Sequence, residues 1–172
     1  RVEPVSSPTQ ASPYERILAL SVTAGLDTPV GIVGANVEVS PVQWITIYAG
    51  GGVSRSGARI AGGISGQYPV GHGSVGMSVG LAGGPLDWDS LGANDQRVHR
   101  YWEFALYLDW ALNAEYRWDE GFFGRISLGV ESALTNATSC SYIESGMDCT
   151  GANLIIPTRG WAGLTVGYAL DL

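Results

Sequence analysis

The chain has 172 residues, a formal net charge of -7 and only 15% charged residues, against about 25% in ordinary globular proteins. All nine basic residues are arginine, and an acidic chain with so few cations is no nucleic-acid binder, which needs a basic patch. No run of eighteen apolar residues occurs, which excludes a transmembrane helix, and the length is that of one domain.

In chain order, residues 1–14 are rich in Pro and Ser and poor in apolar side chains, so they read as a flexible extended tail. The start at Arg1 instead of Met fits a removed signal peptide or a chain trimmed at its start. Alternation begins at Arg16, with Leu18, Leu20, Val22, Ala24 and Leu26 on one face and Ala19, Ser21, Thr23 and Gly25 on the other. Side chains with period two belong to a β-strand. Asp27-Thr28-Pro29 turns the chain. A second strand, about 30–40, sets Val33, Ala35, Val37 and Val39 against Gly34, Asn36, Glu38 and Ser40. A third, about 44–54, sets Ile45, Ile47, Ala49 and Val53 against Thr46, Tyr48 and Gly50. The fourth sets Ile60, Ile64, Tyr68 and Val70 against Arg59, Ala61, Gly63, Ser65 and Gln67. The fifth sets Val75, Met77, Val79 and Leu81 against Ser74, Gly76, Ser78 and Gly80, and a polar loop follows at 85–99.

The sixth strand, Tyr101 to Trp118, alternates without a slip. Its apolar face runs Trp102, Phe104, Leu106, Leu108, Trp110, Leu112, Ala114, Tyr116, Trp118; the other face carries Glu103, Asp109, Asn113, Glu115 and Arg117. At ~3.3 Å per residue the sixteen steps from Trp102 to Trp118 span about 53 Å. Tilted by ~40°, that is roughly 40 Å along a membrane normal, a bilayer with its headgroups. Aromatics at both ends with leucines between them match a lipid-facing surface. The girdle is Trp102, Phe104, Tyr116, Trp118, Phe122 and Tyr168. A turn at Asp119-Glu120-Gly121 leads to the seventh strand, with Phe122, Ile126, Leu128 and Val130 against Phe123, Arg125, Ser127, Gly129 and Glu131. A long loop fills 136–158, and its Cys140 and Cys149 form a plausible disulfide in an exported protein. The eighth strand ends the chain on Leu164, Val166, Tyr168, Leu170 and Leu172.

Eight strands of this length predict an all-β, eight-stranded antiparallel up-and-down transmembrane β-barrel over 15–172. Closure is required because lipid offers no partner to an open sheet edge. Volume orients the faces: an eight-strand interior has room for Gly, Ala and Ser but not for eight rows of Trp, Phe and Leu. A soluble lipocalin-like barrel would also carry lysine on its wet surface, and this chain has none. The alternation and the C-terminal strand resemble the small eight-stranded bacterial outer-membrane barrels, of which the OmpA transmembrane domain and OmpX are members. The last strand departs from that pattern in ending on Leu172 instead of an aromatic. The resemblance implies location in the bacterial outer membrane, lipopolysaccharide and the barrel-assembly machinery as partners, a periplasmic tail 1–14, and loops 85–99 and 136–158 outside the cell. It implies no single activity.

The inward charges are Glu38, Arg59, Glu103, Asp109, Glu115, Arg117, Arg125 and Glu131, and in a low-dielectric interior they need partners. A turn centred on Glu120 sets Glu115 opposite Arg125 and Asp109 opposite Glu131. The expected clusters are Glu38, Glu115, Arg117 and Arg125 below, and Arg59, Glu103, Asp109 and Glu131 above. They predict a lumen plugged by neutralised pairs, not a proton or ion pore. Asp109 with Glu131 is one arrangement for acid–base chemistry, but no substrate cleft accompanies it. His72-Gly73-Ser74 is similar to the His-x-Ser of lipid A deacylases, yet it falls in a turn at the opposite end from theirs. Gly71 to Gly76 matches GxGxxG without the helix a dinucleotide site needs. Asp87, Asp89 and Asp95 follow no known calcium-loop spacing, and Asn136-Ala137-Thr138 is a glycosylation triplet by pattern alone. The expectation is a non-enzymatic barrel without metal or cofactor, structural, adhesive or an accessory subunit of a larger outer-membrane complex. The alternatives are a lipid-modifying, deacylase-like enzyme and a small-solute or ion pore.

Overall fold

A computed structural model describes residues 17–91, 97–134, 140–143, 146–148 and 158–170, with side chains for 17–85, 104–134 and 158–170. The tail 1–14, Asp95, the triplet at 136–138 and Cys149 lie outside the described residues. The side chains of Asp87, Asp89, His99, Trp102, Glu103 and Cys140 do too.

The strands are β1 (Leu18–Thr28), β2 (Gly31–Val42), β3 (Ile45–Ser54), β4 (Gly57–Val70), β5 (Gly73–Leu91), β6 (Arg97–Arg117), β7 (Phe122–Ala133), β8 (Cys140–Ile143), β9 (Gly146–Asp148) and β10 (Thr158–Leu170). Each of β1 to β7 pairs antiparallel with the next, and β10 closes the ring between β7 and β1. The result is an eight-stranded closed up-and-down barrel. Closure leaves the eight wall strands without a free edge along the barrel.

Alternation sorts the side chains by size and polarity. The large apolar residues of the wall point outward and are 38–73% exposed. Glycine, serine, threonine and the charged residues point inward, as small inward groups must in so narrow a barrel. Where Phe123 and Trp161 enter, the sequence supplies glycine opposite them. A Cβ on Gly167 would collide with the Phe123 ring, and one on Gly129 with the Trp161 indole. Tight connections at one end (the turn end) include Gly71 and Gly121, both at positive φ, where glycine avoids the Cβ clash.

The expected loop 85–99 is not a loop over most of its length. β5 continues to Leu91 and β6 starts at Arg97, four residues before Tyr101. The β4–β5 ladder ends at Ile60↔Gly83, whereas β5 and β6 stay paired out to Leu91↔Arg97. From Gly84 to Leu91 the hairpin projects about 23 Å at ~3.3 Å per residue. Pro85 sits at the register shift where β5 leaves β4, a place where a missing N–H is tolerated. Polar composition hid this strand because beyond the barrel rim neither face is obliged to be apolar. The expected loop 136–158 likewise contains β8 and β9, and β8 pairs with β6 from His99 to Tyr101.

At the other end (the loop end) the β1–β2 connection folds inward. Val30 is buried with Ala61, Ala82, Ala105, Tyr107 and Ala133, and the Thr28 hydroxyl donates to the Gly31 carbonyl. At the turn end Phe123 packs with Ala19 and Ala169.

Candidate functional site

The charged side chains of the lumen form two groups at different depths. Near the turn end, Glu115 on β6 lies directly across from Arg125 on β7. Arg125 Nε donates to Glu115 Oε2 at 2.7 Å, and its Nη2 and Nη1 donate to Glu38 Oε2 and Oε1 at 2.6 and 3.2 Å. Arg117 Nε donates to Glu115 Oε1 at 2.5 Å, and the Ser21 hydroxyl donates to Glu38 Oε1 at 2.9 Å. The two guanidinium groups flank the Phe123 ring, 5.4 and 5.3 Å from its centroid. Every carboxylate oxygen of this group accepts a bond, as buried charges require.

Nearer the loop end the same plan recurs on Tyr107, whose ring lies 4.8 Å from the Arg59 guanidinium and 5.6 Å from that of Arg159. Both arginines donate to one oxygen, Glu131 Oε1, at 2.8 and 2.9 Å. Arg59 reaches the Thr28 carbonyl at 3.4 Å, and Arg159 lies 3.8 Å from the rim residue Asp27. Asp109, directly across from Glu131, is 1% exposed, and among the described residues no arginine pairs with either of its oxygens. Its close neighbour is the Tyr48 hydroxyl.

One register row explains how Tyr48 reaches it. Tyr48, Gly63, Gly80 and Asp109 are successive cross-strand partners on β3, β4, β5 and β6. The two glycines leave the width of two side chains open between the phenol and the carboxylate. A Cβ on Gly80 would lie 2.5 Å from the Tyr48 hydroxyl and 2.9 Å from Asp109 Oδ2. Beside Asp109 is a cavity of about 60 Å3, lined among others by Tyr48, Asn113, Ser78, Trp161, Glu38 and Arg125. That is room for a few water molecules, not for a metabolite.

Of the expected lumen charges, Glu38, Glu115, Arg117 and Arg125 thus meet in one network, and Arg59 and Glu131 meet in the other. Asp109 lies beside the second network without entering it, and the side chain of Glu103 is outside the described residues. In the expected girdle, Phe104, Tyr116, Trp118, Phe122 and Tyr168 face outward. Tyr116 packs on Trp118, and Phe122 on Tyr168, edge to face with centroids 5.0 and 4.9 Å apart.

Sequence reasoning gave no role to Arg159, and it gave none to Tyr48, Tyr107 and Trp161 although their strands set them on the inward face. Arg159 lay at the border of an expected loop. The aromatics had a legible signal: each falls on the Gly-rich face, where alternation should have placed a small residue. His72 sits in the β4–β5 turn, 3.6 Å from Asp119 and stacked on Tyr116. Among the described residues no group of three or more His, Cys, Asp and Glu could hold a metal ion. No family model, no curated protein and no solved structure matches the chain.

Proposed function

We propose that this chain is an integral barrel of the bacterial outer membrane, non-enzymatic, with a plugged lumen. It anchors the β5–β6 hairpin and the segment between β7 and β10 at the cell surface, either alone or as an accessory subunit of a larger complex. One observation carries the reading: apolar side chains cover the outside of a closed barrel while the ionised ones are buried inside it. Water would penalise that surface, and hydrocarbon penalises nothing but the charges, which are hidden. Supporting the plug, Arg125 and Glu38 span the lumen near one end and the Val30–Tyr107 cluster fills it near the other. In this reading the turn end is periplasmic. Lipopolysaccharide and phospholipid are the partners of the wall, and the barrel-assembly machinery inserts it.

The testing experiment is fractionation of cells producing the full chain. The protein is expected in the outer-membrane fraction, resistant to a carbonate wash and released by detergent, with no conductance above background in planar bilayers. Recovery in a soluble fraction would overturn the membrane reading, and steady single-channel currents would overturn the plug. An unchanged lipid A mass spectrum on deletion of the gene is expected from a non-enzymatic barrel; a changed one would make it a lipid-modifying enzyme.

A further inference from the structure

The tip of the β1–β2 hairpin, Asp27 to Gly31, turns into the loop-end mouth. Thr28, Pro29, Val30 and Gly31 are all buried. Val30 reaches the far wall, where it clusters with Ala61, Ala82, Ala105 and Ala133, one from each of β4 to β7, and with Tyr107. The near wall is shaped for the tip as well. A Cβ on Gly34 would lie 2.7 Å from Val30 Cβ, one on Gly52 2.6 Å from the Val30 carbonyl oxygen, and one on Gly25 2.7 Å from Thr28 Cγ2. Glycine and alanine thus form a smooth seat that holds the tip by dispersion contacts, each of them weak.

Among the described residues the polar ties from tip to barrel are long. Arg59 Nη1 reaches the Thr28 carbonyl at 3.4 Å, and Arg159 lies 3.8 Å from the half-exposed Asp27. Within the tip, the Thr28 hydroxyl bond to the Gly31 carbonyl and the Pro29 ring hold the turn together as one unit. The features of a hinge flank it. The β1–β2 register shifts between Ala24 and Thr28, and Asp27 and Gly31 have φ of 54° and 102°. Positive φ is uncommon outside glycine, and such positions recur in segments that switch. The turn end is held differently, by Arg125 bridging two buried glutamates at 2.6 and 2.7 Å.

We propose that the β1–β2 tip is a hinged lid, which lifts from its seat about Asp27 and Gly31 and opens the 60 Å3 cavity to the loop-end side. Thr28, Pro29 and Val30 belong to the lining of that cavity, so lifting them unroofs it and bares Tyr48 and Asp109, which line the same space. The Arg125 bonds stay in place, so the open form is a pocket and not a pore. That the pocket faces the cell exterior rests on the orientation proposed above; the lid itself rests only on the closed barrel.

The test therefore uses the folded full chain in detergent, where location plays no part. Cys140 and Cys149 are replaced by Ser, and one thiol is placed in the cavity wall as Ser127→Cys. Iodoacetamide, small and neutral, is expected to label it slowly, at a rate unchanged by urea well below the unfolding transition, the mark of a local opening. Adding Asp27→Asn keeps a residue that tolerates the left-handed backbone and removes the charge facing Arg159. It should speed labelling about two- to fivefold, the effect of losing one half-exposed ion pair. No labelling of the folded protein, a rate that climbs with urea from the start, or equal rates with and without D27N would overturn the lid. Hydrogen exchange on the unsubstituted chain needs no variant. The amides of Thr28, Val30 and Gly31 are expected to exchange at least ~100-fold faster than those of Val22 and Val37 on the same two strands, and equal protection would overturn the lid too.

Discussion

The two halves of the lumen use the same parts to different ends. Each sets two arginines on the faces of one aromatic ring, Phe123 near the turn end and Tyr107 near the loop end. In the first half two glutamates share the Arg125 guanidinium, Glu115 also takes Arg117, and all four carboxylate oxygens are used. In the second a single glutamate oxygen takes both arginines, while Glu131 Oε2 and both oxygens of Asp109 go without an arginine. Equal numbers of charges do not make equal networks. A closed network stabilises a barrel, whereas an open one leaves buried acceptors without a strong donor.

Substitutions probe that contrast, beginning with the greatest effect. Arg125→Met removes the cation shared by Glu38 and Glu115, and breaking a buried pair of this kind costs about 3–5 kcal/mol. Urea unfolding of the barrel in lipid vesicles should show the loss, and adding Glu38→Gln should recover part of it, because the two residues are directly coupled. If R125M unfolds like the wild type, the closed network carries no stability. Arg59→Met should cost less, about 2 kcal/mol for one charge-assisted bond, because Arg159 still serves Glu131. A loss as large as that of R125M would make the halves equivalent. Asp109→Asn should change the midpoint least, since no arginine pairs with this carboxylate among the described residues and Tyr48 can donate to an amide oxygen as well. A strongly destabilised D109N would mean that Asp109 is bound into the network after all.

Much of this was legible beforehand. Unbroken alternation from Phe104 to Tyr116 fixed strand, face and girdle together, because a slip of one residue would turn every leucine inward. The short turn at Gly121 fixed the pairing of Glu115 with Arg125. What stayed hidden has a physical cause in each case. The hairpin beyond Gly83 lies past the rim, where no hydrophobic pattern is imposed on it. Arg159 enters its network through a strand that returns after a long connection, so no local spacing pairs it with Glu131. Tyr48 reaches Asp109 across two glycines on intervening strands, a relation visible only once the sheet is closed.

The central claim is that the outward face touches hydrocarbon. A variant keeping Trp110 as its sole tryptophan, the others replaced by Phe, can be reconstituted in phosphatidylcholine brominated along its acyl chains. The account predicts strong quenching of Trp110 by bromines deep in the chains and weak quenching by those near the headgroups. Fluorescence indifferent to bromine depth, in a protein that stays folded and dissolved without detergent, would contradict it.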